Sequence, residues 1–248
     1  MASWVVVGAG YTGGRLAERL RREGHEVVAT RRTTLDLTRG TDLKFVGATI
    51  ACLAPPGPDP AREIATLVGL GGRRVVYVSS TGVYAPGGGA WVDESWPLAP
   101  VTASGRARLV AEAALPATAA ILRAAGIHGP GRGLVERIRA GSYRVVGDGR
   151  AHVSRIHVDD LIEAILGAGA SDATGPFNVA DDDPAPIGEV ADAVAAHFGL
   201  PPPPRVPASA VDPEARGMLT ADRRIANGRM KRELGVVLRW PSWRAALA

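Results

Sequence analysis

The chain has 248 residues, 46% of them apolar and 22% charged, enough to bury a sizeable core and too apolar for a disordered polypeptide. Its single cysteine, Cys52, excludes an internal disulfide and a cysteine-built metal site; lying in an apolar run, it is expected to be a buried, inert thiol. The net charge of +4 comes from scattered arginines with only two lysines, Lys44 and Lys231, and no nucleic-acid-reading motif accompanies it, so a phosphate-bearing ligand is expected rather than a nucleic acid.

No apolar run reaches the roughly 18 residues that a membrane span needs. The opening MASWVVVGAG has no basic segment before its apolar stretch, so neither a membrane anchor nor a signal peptide is expected, and the cytoplasm is the expected compartment. Residues 3–8, SWVVVG, read as a buried parallel strand, followed by a helical pattern from about Gly13 to Glu23 and a second strand, HEVVAT. Further strands are expected at ATIACLA, RRVVYVSS, TAAILRAAG and GPFNVA, alternating with helices around residues 60–69, 105–114, 158–168 and 187–198. Such alternation specifies an α/β, doubly wound parallel sheet. Only a turn or one short helix fits between TTLDLT and ATIACLA, and the proline-rich stretch 199–217 reads as an irregular connection.

Three stretches carry chemistry. Gly8-Ala-Gly10-Tyr11-Thr12-Gly13 follows a strand and opens a helix, the context in which GxGxxG signifies dinucleotide binding. Gly8 permits the tight turn, Gly10 lets a pyrophosphate approach the backbone, and Gly13 permits close helix packing. At the end of the second strand, VVATRRTT, an NAD site places a carboxylate for the ribose 2′-hydroxyl; here Arg31 and Arg32 stand instead, which suits the 2′-phosphate of NADP(H). The third stretch runs from VVYVSSTGVY through WVDESWPLAP to the helix TASGRARLVAEAAL.

With that third stretch the chain resembles the extended-type short-chain dehydrogenases/reductases, the superfamily of nucleotide-sugar epimerases and dehydratases. The resemblance takes in the N-terminal glycines, Leu35-Asp36-Leu37, the Ser-Ser-x-x-Val-Tyr strand end, ILRAAGIHGPGRG, RIHVDDLIEAI and FNVADDDP, and the tail resembles short atypical members. It implies a doubly wound Rossmann sheet with a small C-terminal substrate lobe, with the Rossmann part at 1–125 and 151–174 and the lobe at 126–150 and 175–248. It also implies cofactor contacts at Gly8, Gly10, Tyr11, Thr12, Gly13, Arg31, Arg32, Asp36, Leu37, Leu53, Ala54 and Arg108, and pairing of copies through the helix containing Ser104.

One departure stands out. The family's catalytic serine or threonine matches Ser80, but its catalytic tyrosine matches Ser104 and its lysine matches Arg108. A phenol beside an ammonium exchanges protons near neutral pH; a serine hydroxyl and a guanidinium do not. Arg108 is therefore expected to hold cofactor ribose only, with Tyr84, His128, water or the substrate itself left to supply the proton. His157, Asp159 and Asp160 are expected to start a helix, with Asp159 or Asp160 as its cap, rather than to bind metal. The resulting expectation is an NADPH-dependent reductase of a small carbonyl or enone compound with a non-standard proton donor. A redox-neutral isomerase, epimerase or cyclase with retained cofactor, and a non-catalytic NADP(H) sensor, are the alternatives.

Overall fold

The computed structural model describes residues 2–245. Six parallel strands form its centre: β1 (Ser3–Val7), β2 (Glu26–Thr30), β3 (Thr49–Cys52), β4 (Arg74–Ser80), β5 (Ala120–Ala124) and β6 (Gly175–Val179), in the spatial order β6-β5-β4-β3-β1-β2. The order reverses beside β1, as in doubly wound sheets that bind dinucleotides at that switch point. Alternation along β1 sorts the two faces. Trp4 and Val6 join one apolar layer with Leu16 and Leu20 of α1 (Tyr11–Arg22), while Val5 and Val7 join the other with Ile64 and Leu67 of α2 (Pro60–Gly69). Helix α3 (Ala103–Ala114) adds Ala111 to that second layer.

The strand expectations hold to within a residue or two, and the link after β2 holds only a short 3₁₀ turn, Leu37–Arg39, as its length requires. Cys52 is 2% exposed, and burial pushes its thiol up to about 11.

The lobe is built from α4 (Leu134–Arg139), α6 (Ile187–His197) and short strand pairs, around a core that includes Ile138, Tyr143, Val145, Ile187, Val190 and Trp243. Helix α5 (Val158–Ala170) lies against the central sheet instead, in the same layer as α1. The expected boundary needs one correction. Residues 175–179 are the edge strand β6, paired with β5 from Gly175–Ala120 to Val179–Ala124, and Met230 and Leu234 of α8 (Gly228–Leu234) pack in the layer of α1 and α5. The stretch 175–248 is thus shared between sheet and lobe.

The proline-rich connection also holds more order than expected, because α7 (Pro213–Leu219) begins within it. Asp212 caps its N-terminus by accepting from the Ala215 amide, with Pro213 in the first turn, where no amide partner is needed. The last two residues of the expected family-like tail, 246 and 247, lie outside the described residues. No helix among the described residues is long and apolar enough to cross a membrane.

Candidate cofactor and substrate site

The glycine-rich turn joins β1 to α1, and its geometry fits a pyrophosphate. Gly8 has φ +95°, and a Cβ there would lie 2.6 Å from the Ala54 nitrogen at the end of β3. A Cβ on Gly13 would collide with the Gly8 carbonyl, whereas one on Gly10 would meet nothing within 4 Å. Space at Gly10 lies beside an α1 N-terminus that has neither a side-chain cap nor an acidic residue in its first turn, so its amides face an anion unopposed. Leu53 and Ala54 are brought against Gly8 from the end of β3. A small pocket beside them is lined by Arg31, Arg32, Asp36, Leu37 and Glu63, among others. Both arginines are exposed, while Asp36 turns its carboxylate onto the amide and hydroxyl of Thr38 and closes the 3₁₀ turn.

These glycines make a sharp contrast. Gly8→Ala should lose about 2–5 kcal/mol of stability, combining a left-handed backbone with overpacking against a backbone nitrogen that cannot move aside. Gly14→Ala meets nothing within 4 Å inside α1 and should gain about 1 kcal/mol of stability. Urea unfolding of the two variants separates these outcomes.

Tyr11 reaches from α1 across to the lobe, its hydroxyl donating to the Pro130 carbonyl at 3.2 Å, and Thr12 is buried. Arg108 donates through Nη1 to the Val78 carbonyl at 2.7 Å, which leaves most of its donors unspent. Ser104, at the tyrosine's position, is exposed and bound by Glu214 of α7, whose carboxylate takes the Ser104 hydroxyl and amide together with the Ala103 amide. The serine is tied to the lobe at the helix start.

A cavity of about 530 Å³ opens where β4 and β5 end. Ser80, Thr81, Gly82 and Ala125 line its sheet side, and His128, Tyr143, His152, Arg155 and Met218 are among the residues of its lobe side. Ser80 accepts from the Gly82 amide at 3.1 Å, so its own hydroxyl hydrogen remains available. His128 also lines the cavity, and its Nε2 is buried without a partner among the described residues. Burial, with the charges of His157 and Arg155 beside it, pushes His128 down to about 4, so it is neutral at pH 7 and not an acid there.

The unfolded chain takes up that proton near 6.5, earlier than the folded one, so His128 contributes stability above 6.5 that is lost as pH falls toward 4. Buried Asp181, raised to about 7, acts in the opposite direction over much of that range. His128→Asn should therefore flatten the acid-side fall of stability between pH 6.5 and 4 relative to the parent, as followed by urea midpoints at several pH values.

Tyr84 needs a correction. The 3₁₀ turn Thr81–Val83 swings it out of the line of β4, and it is fully buried and absent from the cavity wall. Its hydroxyl donates to Asn178 Oδ1 at 2.7 Å and accepts from Arg123 Nη1 at 2.9 Å. Arg123 is held in turn by Glu112, which also accepts from Ser79 at 2.5 Å. Burial pushes the Tyr84 hydroxyl up to about 12. Tyr84 braces the sheet and cannot reach a molecule in the cavity.

The helix start at Val158 is capped by His157, whose Nδ1 accepts from the Asp159 amide at 3.2 Å, and not by either aspartate. Asp160, fully buried, takes the Arg239 and Trp240 amides at 2.9 Å each and pins the C-terminal segment.

One arrangement had no signal in the sequence. His152 lines the cavity, and its Nδ1 lies 2.9 Å from Asp222 Oδ1, which also accepts from the His152 amide at 2.7 Å. Burial opposes ionisation of Asp222, yet the bonds from the His152 backbone and ring hold its carboxyl below the usual range. An ionised carboxylate only accepts, so Nδ1 carries the hydrogen and Nε2 is the ring's other functional atom. Asp222 has φ 47°, the one described non-glycine residue in the left-handed region. Seventy positions separate the partners, and no spacing rule connects them.

Comparisons with known proteins bear on the family and the fold. The model of the NAD dependent epimerase/dehydratase family matches residues 62–180. A 3-diazoavenalumate denitrifying reductase from a Streptomyces species is 35% identical over 244 residues, covering 90% of this chain and 78% of the relative. A functionally unknown conserved protein from Silicibacter pomeroyi superposes with TM-score 0.82 at 31% identity, over 100% of this chain and 97% of the other. The human epimerase family protein SDR39U1, solved with NADPH, has TM-score 0.78 at 21% identity, over 100% and 98% of the two chains, a likeness of fold alone.

Proposed function

The chain belongs to the NAD dependent epimerase/dehydratase family of extended short-chain dehydrogenases/reductases, and from that premise we propose that it binds a nicotinamide cofactor and is an NADPH-dependent reductase of a small carbonyl or enone compound in which His152 supplies the proton. The observation that carries the reading is His152 in the cavity wall, its ring bonded to Asp222, in a chain whose tyrosine position holds Ser104. Reduction of a carbonyl adds a hydride to carbon and a proton to oxygen; bound NADPH supplies the hydride. Asp222 fixes the imidazole through Nδ1, and Nε2–H of the imidazolium gives the proton, which water restores. Ser80 donates a hydrogen bond to the acceptor oxygen, and Arg108 holds cofactor ribose.

The Streptomyces relative's name, that of a reductase, supports reduction over isomerisation. The cofactor choice rests on Arg31 and Arg32 at the rim of the small pocket. NADPH should bind more tightly than NADH, and Arg31→Asp should weaken NADPH by about 1.5–3 kcal/mol through one lost charge-assisted contact. Fluorescence titration with both cofactors measures this, and equal affinities in the parent would remove the assignment. The activity itself is tested by incubating the protein with NADPH deuterated at C4 and a panel of small ketones and enones. Deuterium should appear on carbon of one product with matching NADPH loss; cofactor that stays unoxidised through turnover would replace the reductase with an isomerase.

A further inference from the structure

Among the described residues the cavity wall contains four arginines, Arg132, Arg137, Arg155 and Arg223, and no aspartate or glutamate. They are not equivalent. Arg223 is spent on carbonyls: Nε on Ala85 at 2.9 Å, Nη1 on Thr81 at 3.2 Å and Nη2 on Tyr84 at 2.5 Å, bracing the turn after β4. Arg132 and Arg137 are exposed and lie over the rings of Tyr11 and Tyr143.

Arg155 is half-buried, and the one hydrogen bond its side chain makes among the described residues is a long 3.4 Å contact from Nη1 to the Val153 carbonyl. Asp181 and Asp183 are the acids whose charge it feels, but neither comes within ion-pair distance among the described residues. Two further polar atoms in the same wall are buried without partners among the described residues, the Tyr143 hydroxyl and His128 Nε2, and the Arg155 charge acts on both residues. A guanidinium withdrawn from water without a counter-ion is costly, and an unbonded buried hydroxyl adds to the cost. A ligand that brings the missing anion removes both.

We infer that the cavity takes a small monocarboxylate with an apolar body, its carboxylate paired to Arg155 and accepting from the Tyr143 hydroxyl. This rests on reading the cavity as the substrate site. Its remaining wall, including Ile127, Leu134, Val153, Ile187, Leu219 and Ile225, offers apolar contact to the body. One guanidinium with unspent donors matches one unit of negative charge. A nucleoside diphosphate would bring at least two, and would set sugar hydroxyls against aliphatic side chains.

The probe is trans-cinnamate, titrated calorimetrically into the protein saturated with NADP⁺, against neutral, isosteric trans-cinnamamide. Cinnamate should bind about ten- to a hundredfold more tightly than the amide, the worth of a charge-assisted hydrogen bond to a guanidinium. Arg155→Gln should abolish that preference, Arg155→Lys should keep part of it, and Tyr143→Phe should weaken cinnamate several-fold; unchanged NADPH affinity shows that each variant is folded. Should Arg155→Gln fail to fold, the cinnamate-to-amide ratio in the parent and in Tyr143→Phe decides. Equal binding of acid and amide, an undiminished preference in Arg155→Gln, or UDP-glucose displacing cinnamate at lower concentration would overturn the inference. Binding is read without turnover, so a charge-selective site in a protein that oxidises no NADPH would remove the reductase reading and leave this one standing.

Discussion

His152→Asn should lower turnover by about 10²–10⁴-fold, the usual worth of a positioned general acid, with NADPH affinity unchanged. Asparagine can still donate to Asp222, so the wall of the cavity keeps its shape while the transferable proton is lost. Asp222→Asn should also lower turnover, because an amide in place of the carboxylate no longer fixes the ring hydrogen on Nδ1. Ser104→Ala, by contrast, should stay within a few-fold of the parent, since its hydroxyl is engaged by Glu214 at the helix start. Steady-state kinetics of the three variants against the reducible substrate measures this. A hundredfold loss in Ser104→Ala with His152→Asn unaffected would return the proton to the tyrosine's old position.

Glu112→Ala should destabilise the protein by about 3–5 kcal/mol, because it strands a buried guanidinium. Arg123 is 4% exposed and Glu112 8%, and the two meet through Arg123 Nε and Nη2, the latter at 2.7 Å. With the carboxylate gone, Arg123 retains only Tyr84 and a 3.5 Å contact to the Glu94 carbonyl, while Ser79 loses its acceptor. Glu112→Gln keeps the shape and should cost less. Joint replacement by apolar residues, Glu112→Leu with Arg123→Met, should recover much of the loss, since neither charge is then left alone. Urea midpoints for single and double variants test this, and additive losses would contradict it.

The legible parts of this molecule are those with a period or a local signal. Buried strands such as Val75–Val78 and the glycine turn at Gly8–Gly13 announce themselves because each depends on near neighbours in the chain. The helix at 213–219 was equally announced, by Asp212 followed by Pro213, but prolines upstream masked a good start signal. Direction was harder to read. Nothing in Val83-Tyr84 tells that a 3₁₀ turn will aim the tyrosine away from the cavity and into the sheet's own polar network. RIHVDD drew attention to three residues that start a helix and pin the tail, while Arg155 beside them faces the cavity. Pairings such as His152 with Asp222 and Arg123 with Glu112 arise when distant segments pack, and no short-range pattern encodes them.

The weaving of sheet and lobe along the chain bears on how the molecule assembles. Residues 125–174 intervene between β5 and β6, so five strands can pair while the sixth is still distant in sequence. During synthesis the open side of β5 is an unpaired edge, a template for wrong partners, until β6 arrives to cover it. Much of the lobe is contributed by the segments on either side of β6, and α8 returns afterwards to the sheet. Neither part can therefore be shed intact from the other, and melting should proceed as a single transition in which the cavity and the cofactor cradle disappear together.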